Sequence, residues 1–184
     1  MIRRLFTLLT LAILGSLVAG CYGIVHDQVT FTLAPEYFTK LKFEQFRWAN
    51  LGLPERAFVG QIGFLASWWV GAASALLLGT LACSFWPPAV AFRKAARGFG
   101  MIIAVAVAAG IAGGYLGRPG RPGIDLASWS DFAIAHDIKN LPAFVQVASI
   151  HNASYLGGAA GFLLAAALLA ADSRRRKSSV NLAP

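Results

Sequence analysis

Four long apolar segments dominate the hydrophobicity pattern of the chain. They cover residues 5–25, 66–86, 99–117 and 153–171, and none of them contains Asp, Glu, Lys, Arg or His. A helix needs about 20 apolar residues to cross the roughly 30 Å hydrocarbon core of a bilayer. Because backbone groups in lipid must be hydrogen-bonded internally, each segment is predicted to be a transmembrane helix. The predicted fold is all-α, a four-helix transmembrane bundle in which residues 1–184 form a single membrane domain.

The polar connections predict a small cap outside the membrane. Two loops, residues 26–56 and 118–150, are long enough to fold, and a basic tail follows the last span at residues 172–184. Alternating side chains at residues 28–33 predict a short strand. Pro35 then predicts a helix over residues 36–48, because proline is favoured in the first helical turn.

Composition supports the membrane interpretation. Hydrophobic residues make up 57% of the chain and charged residues only 13%, against about 25% charged in soluble domains. The expected surroundings are therefore the lipid bilayer. The spans also lack the ionisable groups that pumps and ion-coupled transporters usually hold in their membrane interior, which disfavours that class.

Charge predicts the orientation. The formal net charge is +8, and the predicted inner side holds nine basic residues and one acidic residue, whereas the outer side holds seven of each. By the positive-inside rule, both termini are expected in the cytoplasm. Anionic lipid accounts for the basic tail, and no nucleic-acid partner is expected because basic residues are not interleaved with aromatic ones.

The first span has an alternative interpretation as a cleaved signal. Val18-Ala19-Gly20-Cys21 is similar to the lipobox of bacterial lipoproteins, in which the cysteine is lipidated. The apolar run continues beyond this motif to Val25, which favours a retained helix. In either case the later spans keep the same orientation.

Small residues recur at every fourth position of the second span. A spacing of four places such residues on one helical face, where backbones can approach closely. We predict that this face packs against another helix, either within the bundle or in a homo-oligomer. The residues are Gly63, Ser67, Gly71, Ala75 and Gly79. Aromatic side chains are predicted to mark the membrane surfaces, with Trp68 and Trp69 at the outer one and Trp86 at the inner one.

All three histidines fall on the predicted outer side. Together with two acids they form a plausible ligand set for a divalent metal: His26, Asp27, Glu36, His136 and His151. Neighbouring polar residues complete this outer-face motif: Tyr37, Asp137, Asn152 and Tyr155. No tight ligand spacing such as HExxH is present, so a metal cofactor is an alternative, and hydrogen-bonded side chains that pin loops to helix ends are favoured. We expect His26 or Asp27 within about 5 Å of the segment from His151 to Tyr155.

Several motifs resemble a family of small bacterial multi-pass membrane proteins. They are HDQVT at residues 26–30, PEYFT at residues 35–39, WWVG at residues 68–71 and HNASYLGG at residues 151–158. The resemblance covers most of the chain outside the tail. It implies the membrane topology and directs attention to the two histidine motifs, but it implies no activity.

Three function classes follow from these patterns. The favoured one is a structural or accessory membrane protein that acts through helix packing and outer-loop contacts with a second copy or a membrane-protein partner. The second is a metal-dependent membrane enzyme that uses the outer histidines and acids. The third is a channel or transporter component.

Overall fold

The protein is an all-α bundle of four long helices. A computed structural model describes the backbone of residues 1–181 and the side chains of residues 1–176; the end of the predicted basic tail lies outside the described residues. The helices are α1 (Ile2–Leu33), α2 (Glu55–Phe85), α3 (Pro88–Leu116) and α4 (Leu141–Asn181). Each is long and apolar enough to span a membrane. Within the described residues there is no strand.

Proline and asparagine residues set several helix ends. Pro54 immediately precedes α2, and Pro88 occupies the first turn of α3, where its missing N–H group costs nothing. Pro87 and Pro88 follow α2, and a proline cannot continue a helix. At the start of α4 the side chain of Asn140 accepts a hydrogen bond from the backbone N–H of Ala143, which satisfies one of the free donors of the first turn.

The bundle consists of two tightly packed antiparallel pairs, α1 with α2 and α3 with α4. Glycine makes this possible in the first pair, since a Cβ atom at Gly15 would lie 2.5 Å from the carbonyl oxygen of Gly71. All five residues of the small-residue face of α2 lie against α1, in contact with residues from Leu8 to Ile24. This face therefore packs inside one chain and is covered by α1.

The end of the bundle that contains Met1 has an apolar core closed by polar contacts. Lys94 pairs with Asp172, and the guanidinium of Arg176 donates a hydrogen bond to the carbonyl oxygen of Phe85 at 2.8 Å. Trp86 does not line the lipid surface as predicted: it is buried in this core, with the ammonium of Lys94 4.7 Å from its ring centre. The spacing of tryptophans along a helix does not specify whether a ring faces lipid or protein.

The opposite end has a folded cap formed by the two long connections. In the first connection, helical turns at Pro35–Tyr37 and Phe43–Gln45 flank a wider π-helical turn at Phe38–Lys42, and a 3₁₀ turn follows at Arg47–Ala49. The second contains Ala127–Trp129 and Ser130–Ala135. Aromatic rings join both connections to the helix ends, with Phe38 and Phe144 fully buried between them.

The strand predicted at residues 28–33 is wrong, because α1 continues through it to Leu33. Extending an existing helix adds one hydrogen bond for each residue fixed, whereas a lone strand has no partner to pair with. The extension holds Thr30 and Phe31 in the buried contact with the cap.

Candidate functional site

Two helices bring a carboxylate and two imidazoles together where the cap meets the bundle. His26 and Asp27 follow the apolar part of α1, and His151 lies on α4 nearly three turns after its start. Because α1 stays helical beyond Val25, both of its residues keep a fixed position facing α4. We call the group of His26, Asp27 and His151 the His–Asp junction.

The distances in the His–Asp junction are short. Asp27 Oδ1 lies 4.0 Å from His151 Nε2, and the ring centres of His26 and His151 are 4.6 Å apart in an edge-to-face arrangement. One ligand atom from each of the three residues lies within 4.8 Å of the other two. The three side chains therefore converge on one small region.

Each imidazole has a tyrosine beside its Nδ1 atom. The hydroxyl of Tyr22 is 3.4 Å from His26 Nδ1, and the hydroxyl of Tyr155 is 3.5 Å from His151 Nδ1. Both pairs are four residues apart on one helix, the spacing at which side chains meet. The Nε2 atoms of both histidines are buried and have no hydrogen-bond partner among the described residues.

The cap covers the His–Asp junction with aromatic rings. Tyr37 stacks on the imidazole of His151 with ring centres 4.8 Å apart. The ring centre of Phe38 lies 6.1 Å from that of His151 in an edge-to-face arrangement. Only 2% of the surface of His151 and 5% of that of Asp27 is exposed. The two polar side chains are thus enclosed by protein.

This enclosure shifts the pKa values of two side chains of the cap, Tyr37 and Lys42. Burial raises the pKa of Tyr37 well above its usual range, and the charges of Tyr155 and Asp27 act in the same direction. Burial lowers the pKa of Lys42, and the nearby carboxylate of Asp27 opposes this shift. Tyr37 is therefore neutral at physiological pH, and the electrostatic interaction of Lys42 with Asp27 links the cap to α1.

Glu36 and His136, the other two candidate ligands, lie elsewhere in the cap. The carboxylate of Glu36 accepts hydrogen bonds from the backbone N–H groups of Lys139 and Asn140 at 2.9 and 2.8 Å. His136 is exposed and stacks on Phe132 with ring centres 4.0 Å apart. Glu36 thereby fastens the first connection to the start of α4, where the helix dipole favours a negative charge.

The polar residues of the outer-face motif also fall into two groups, one beside the His–Asp junction and one away from it. Tyr37 and Tyr155 border the His–Asp junction, whereas Asn152 is exposed and Asp137 lies in a turn with a positive φ of 51°. Asp137 pairs with Lys139 and, at 3.6 Å, with Lys40. The hydrogen bond and charge of Lys139, followed by the charge of Lys40, lower the pKa of the Asp137 carboxyl.

Sequence reasoning missed Tyr22 and Lys42. Tyr22 could have been found from symmetry, because a tyrosine precedes His26 by four positions and another follows His151 by four. Lys42 gave no comparable indication, since only the folding of the cap places it near Asp27.

Comparison with known proteins found no relative. No protein-family model, no curated protein and no solved structure matched the chain. The resemblance of residues 26–30 and 151–158 to a bacterial membrane family therefore stays a prediction, and the function must be inferred from the chain itself.

Proposed function

We propose that the chain is a structural or accessory protein of the bacterial inner membrane that displays a rigid cap on the outer face for a membrane-protein partner. The supporting observation is an exposed apolar tip on a cap that is otherwise firmly anchored. This tip consists of Trp48 and Leu51, which are three residues apart in the first connection and are 77% and 75% exposed. Large apolar side chains that are exposed close together in the chain favour an interaction surface.

The position of this tip along the bundle follows from its contact with α2. Trp68 and Trp69 suit the outer interface, and α2 begins 13 residues earlier at Glu55. At a rise of 1.5 Å per residue, the start of α2 stands about 20 Å beyond these tryptophans. The first connection folds back from that height, because the side chain of Gln61 on α2 donates a hydrogen bond to the carbonyl oxygen of Ala49 at 2.7 Å. The tip therefore lies near the level of Gln61, about 10 Å beyond Trp68, and we propose that a protein partner covers it there.

The interior of the bundle favours a structural role over transport. Its core at the end that contains Met1 is apolar, with Leu78, Ala82 and Ala95 fully buried. Several hydroxyl groups within the spans donate to carbonyl oxygens of their own helices, as in Thr7, Ser16 and Thr80. Polar groups satisfied in this way do not form a path for ions.

Reporter fusions test the proposed orientation. The excess of basic residues at the end with Met1 predicts cytoplasmic reporters after Arg97 and after Lys177, and an external reporter after Gln45. Alkaline phosphatase is active outside the cytoplasm and green fluorescent protein fluoresces inside it, so paired fusions give opposite readouts. One reversed position would contradict the arrangement.

Photo-crosslinking tests the proposed docking. A photoreactive amino acid in place of Trp48 should give one discrete adduct with a membrane protein in intact cells, and the adduct should disappear when Leu51→Ser is added. The matched control is the same probe in place of Leu163, an exposed residue of the α4 span, which should contact lipid. Adducts only with a second copy, or none at position 48 in the folded protein, would contradict a partner protein.

A further inference from the structure

We propose that the His–Asp junction binds one divalent transition metal ion of the zinc type. This inference is independent of the docking role, since the site lies below the cap and not at its tip. Two imidazole nitrogens and a carboxylate oxygen are common ligands of Zn²⁺ and of other first-row ions. Three observations support an ion at this site: the distances between the ligand atoms, the two buried Nε2 atoms without a hydrogen-bond partner among the described residues, and the enclosure by aromatic rings.

The distances suit a single ion after a small closure. Zn²⁺ binds His nitrogen at about 2.0–2.1 Å and carboxylate oxygen at about 2.0–2.2 Å, so ligand atoms around one ion are about 3.4 Å apart in tetrahedral geometry. In the structure the ligand atoms lie within 4.8 Å of one another, and Asp27 and His151 are 4.0 Å apart. Shifts of about 1 Å, within the reach of side-chain rotation, would bring all three onto one ion.

The two Nε2 atoms need a partner. Buried polar atoms in folded proteins are almost always hydrogen-bonded, yet the Nε2 atoms of His26 and His151 have no such partner. A direct hydrogen bond with the Asp27 carboxylate does not satisfy His151, because 4.0 Å is beyond hydrogen-bond distance. Two buried imidazole nitrogen atoms next to one buried carboxylate form a ligand set that a divalent metal ion would complete.

The surroundings have the features that support metal ligands. A ligating imidazole usually engages its other nitrogen, which fixes the ring and its tautomer. Tyr22 and Tyr155 stand beside the Nδ1 atoms in this way, which leaves Nε2 for the ion. Tyr37 and Phe38 cover His151, so the ion would be shielded from bulk water. Three protein ligands leave a coordination position for water or a further ligand.

Metal titration of the full chain tests this inference. The protein is purified in detergent, stripped with a chelator, and titrated with Zn²⁺ by calorimetry and with Co²⁺ by visible absorption. We expect one ion per chain and a Co²⁺ spectrum of nitrogen and oxygen ligands without a thiolate charge-transfer band. Asp27→Asn and His26→Gln preserve side-chain size and should each weaken binding by more than the roughly 10–100-fold typical of outer-shell partners.

Two control variants localise the ion. His136→Ala removes the exposed histidine of the cap and Cys21→Ser removes the exposed thiol of α1, and both should bind like the unmodified chain. Circular dichroism and thermal melting establish that each variant is folded. Absence of saturable binding to the unmodified chain, full affinity in both Asp27→Asn and His26→Gln, or loss of binding in His136→Ala or Cys21→Ser would each overturn the proposal.

Discussion

We expect the Gly71→Leu variant to lose the close packing of α1 on α2 and to melt at a much lower temperature than the unmodified protein. A Cβ atom at Gly71 would overlap the carbonyl oxygen of Gly15 and the methyl group of Ala19, and would lie 2.9 Å from the Gly15 carbonyl carbon. Most of these obstacles are backbone atoms, which cannot rotate away as a side chain can. The helices must separate, so the cost should reach the upper end of the usual 1–3 kcal/mol for overpacking.

Thermal unfolding in detergent, followed by circular dichroism, measures this effect. Gly100→Leu is the matched control, because a Cβ atom at Gly100 on α3 would meet nothing within 4 Å. This variant adds the same side chain to a membrane helix without a neighbour to displace, so its melting temperature should stay close to that of the unmodified chain. Equal melting of the two variants would show that the packing of α1 on α2 does not determine stability.

The membrane fold could be predicted from the sequence because bilayer physics allows few alternatives. A run of about 20 apolar residues without charge predicts a membrane-spanning helix. Small residues at every fourth position indicate which face of α2 is packed. The spacing could not say which helix covers that face. Only the structure shows Gly15, Ala19 and Gly23 of α1 opposite it, which makes an oligomer unnecessary to explain the pattern.

The cap was less predictable because its contacts are not periodic. Equal membrane depth was enough to predict that His26 and Asp27 approach His151, since helices fix height along the bundle. Position along the membrane normal could not predict that the carboxylate of Glu36 accepts hydrogen bonds from backbone N–H groups just before α4. Nor could it predict that His136 stacks on Phe132. These positions depend on how two irregular connections pack around aromatic rings, which local sequence patterns do not encode.

Phe38 is the residue on which this packing depends most, and we expect Phe38→Ala to loosen the cap selectively. Its side chain is fully buried and contacts the rings of Phe31, Tyr37 and His151. Truncating a buried phenylalanine to alanine typically costs about 3–5 kcal/mol, from lost contacts and the remaining cavity. Because the first pair of helices also packs through Gly15 and Gly71, which lie outside the cluster around Phe38, the loss should fall on the cap and leave the membrane spans folded.

Hydrogen–deuterium exchange followed by mass spectrometry distinguishes local from global loosening. Peptides from residues 34–49 and 127–144 should exchange faster in Phe38→Ala, whereas peptides from the middle of α1 and α2 should keep their protection. Trp48→Ala is the control, since it removes a larger side chain that is 77% exposed and should change stability by no more than about 0.5 kcal/mol. If both variants gave the same exchange pattern, the ring of Phe38 would not hold the cap on the bundle. If Phe38→Ala instead exposed all four helices, cap and spans would unfold as one cooperative unit, and the cap would be part of the stability of the membrane domain.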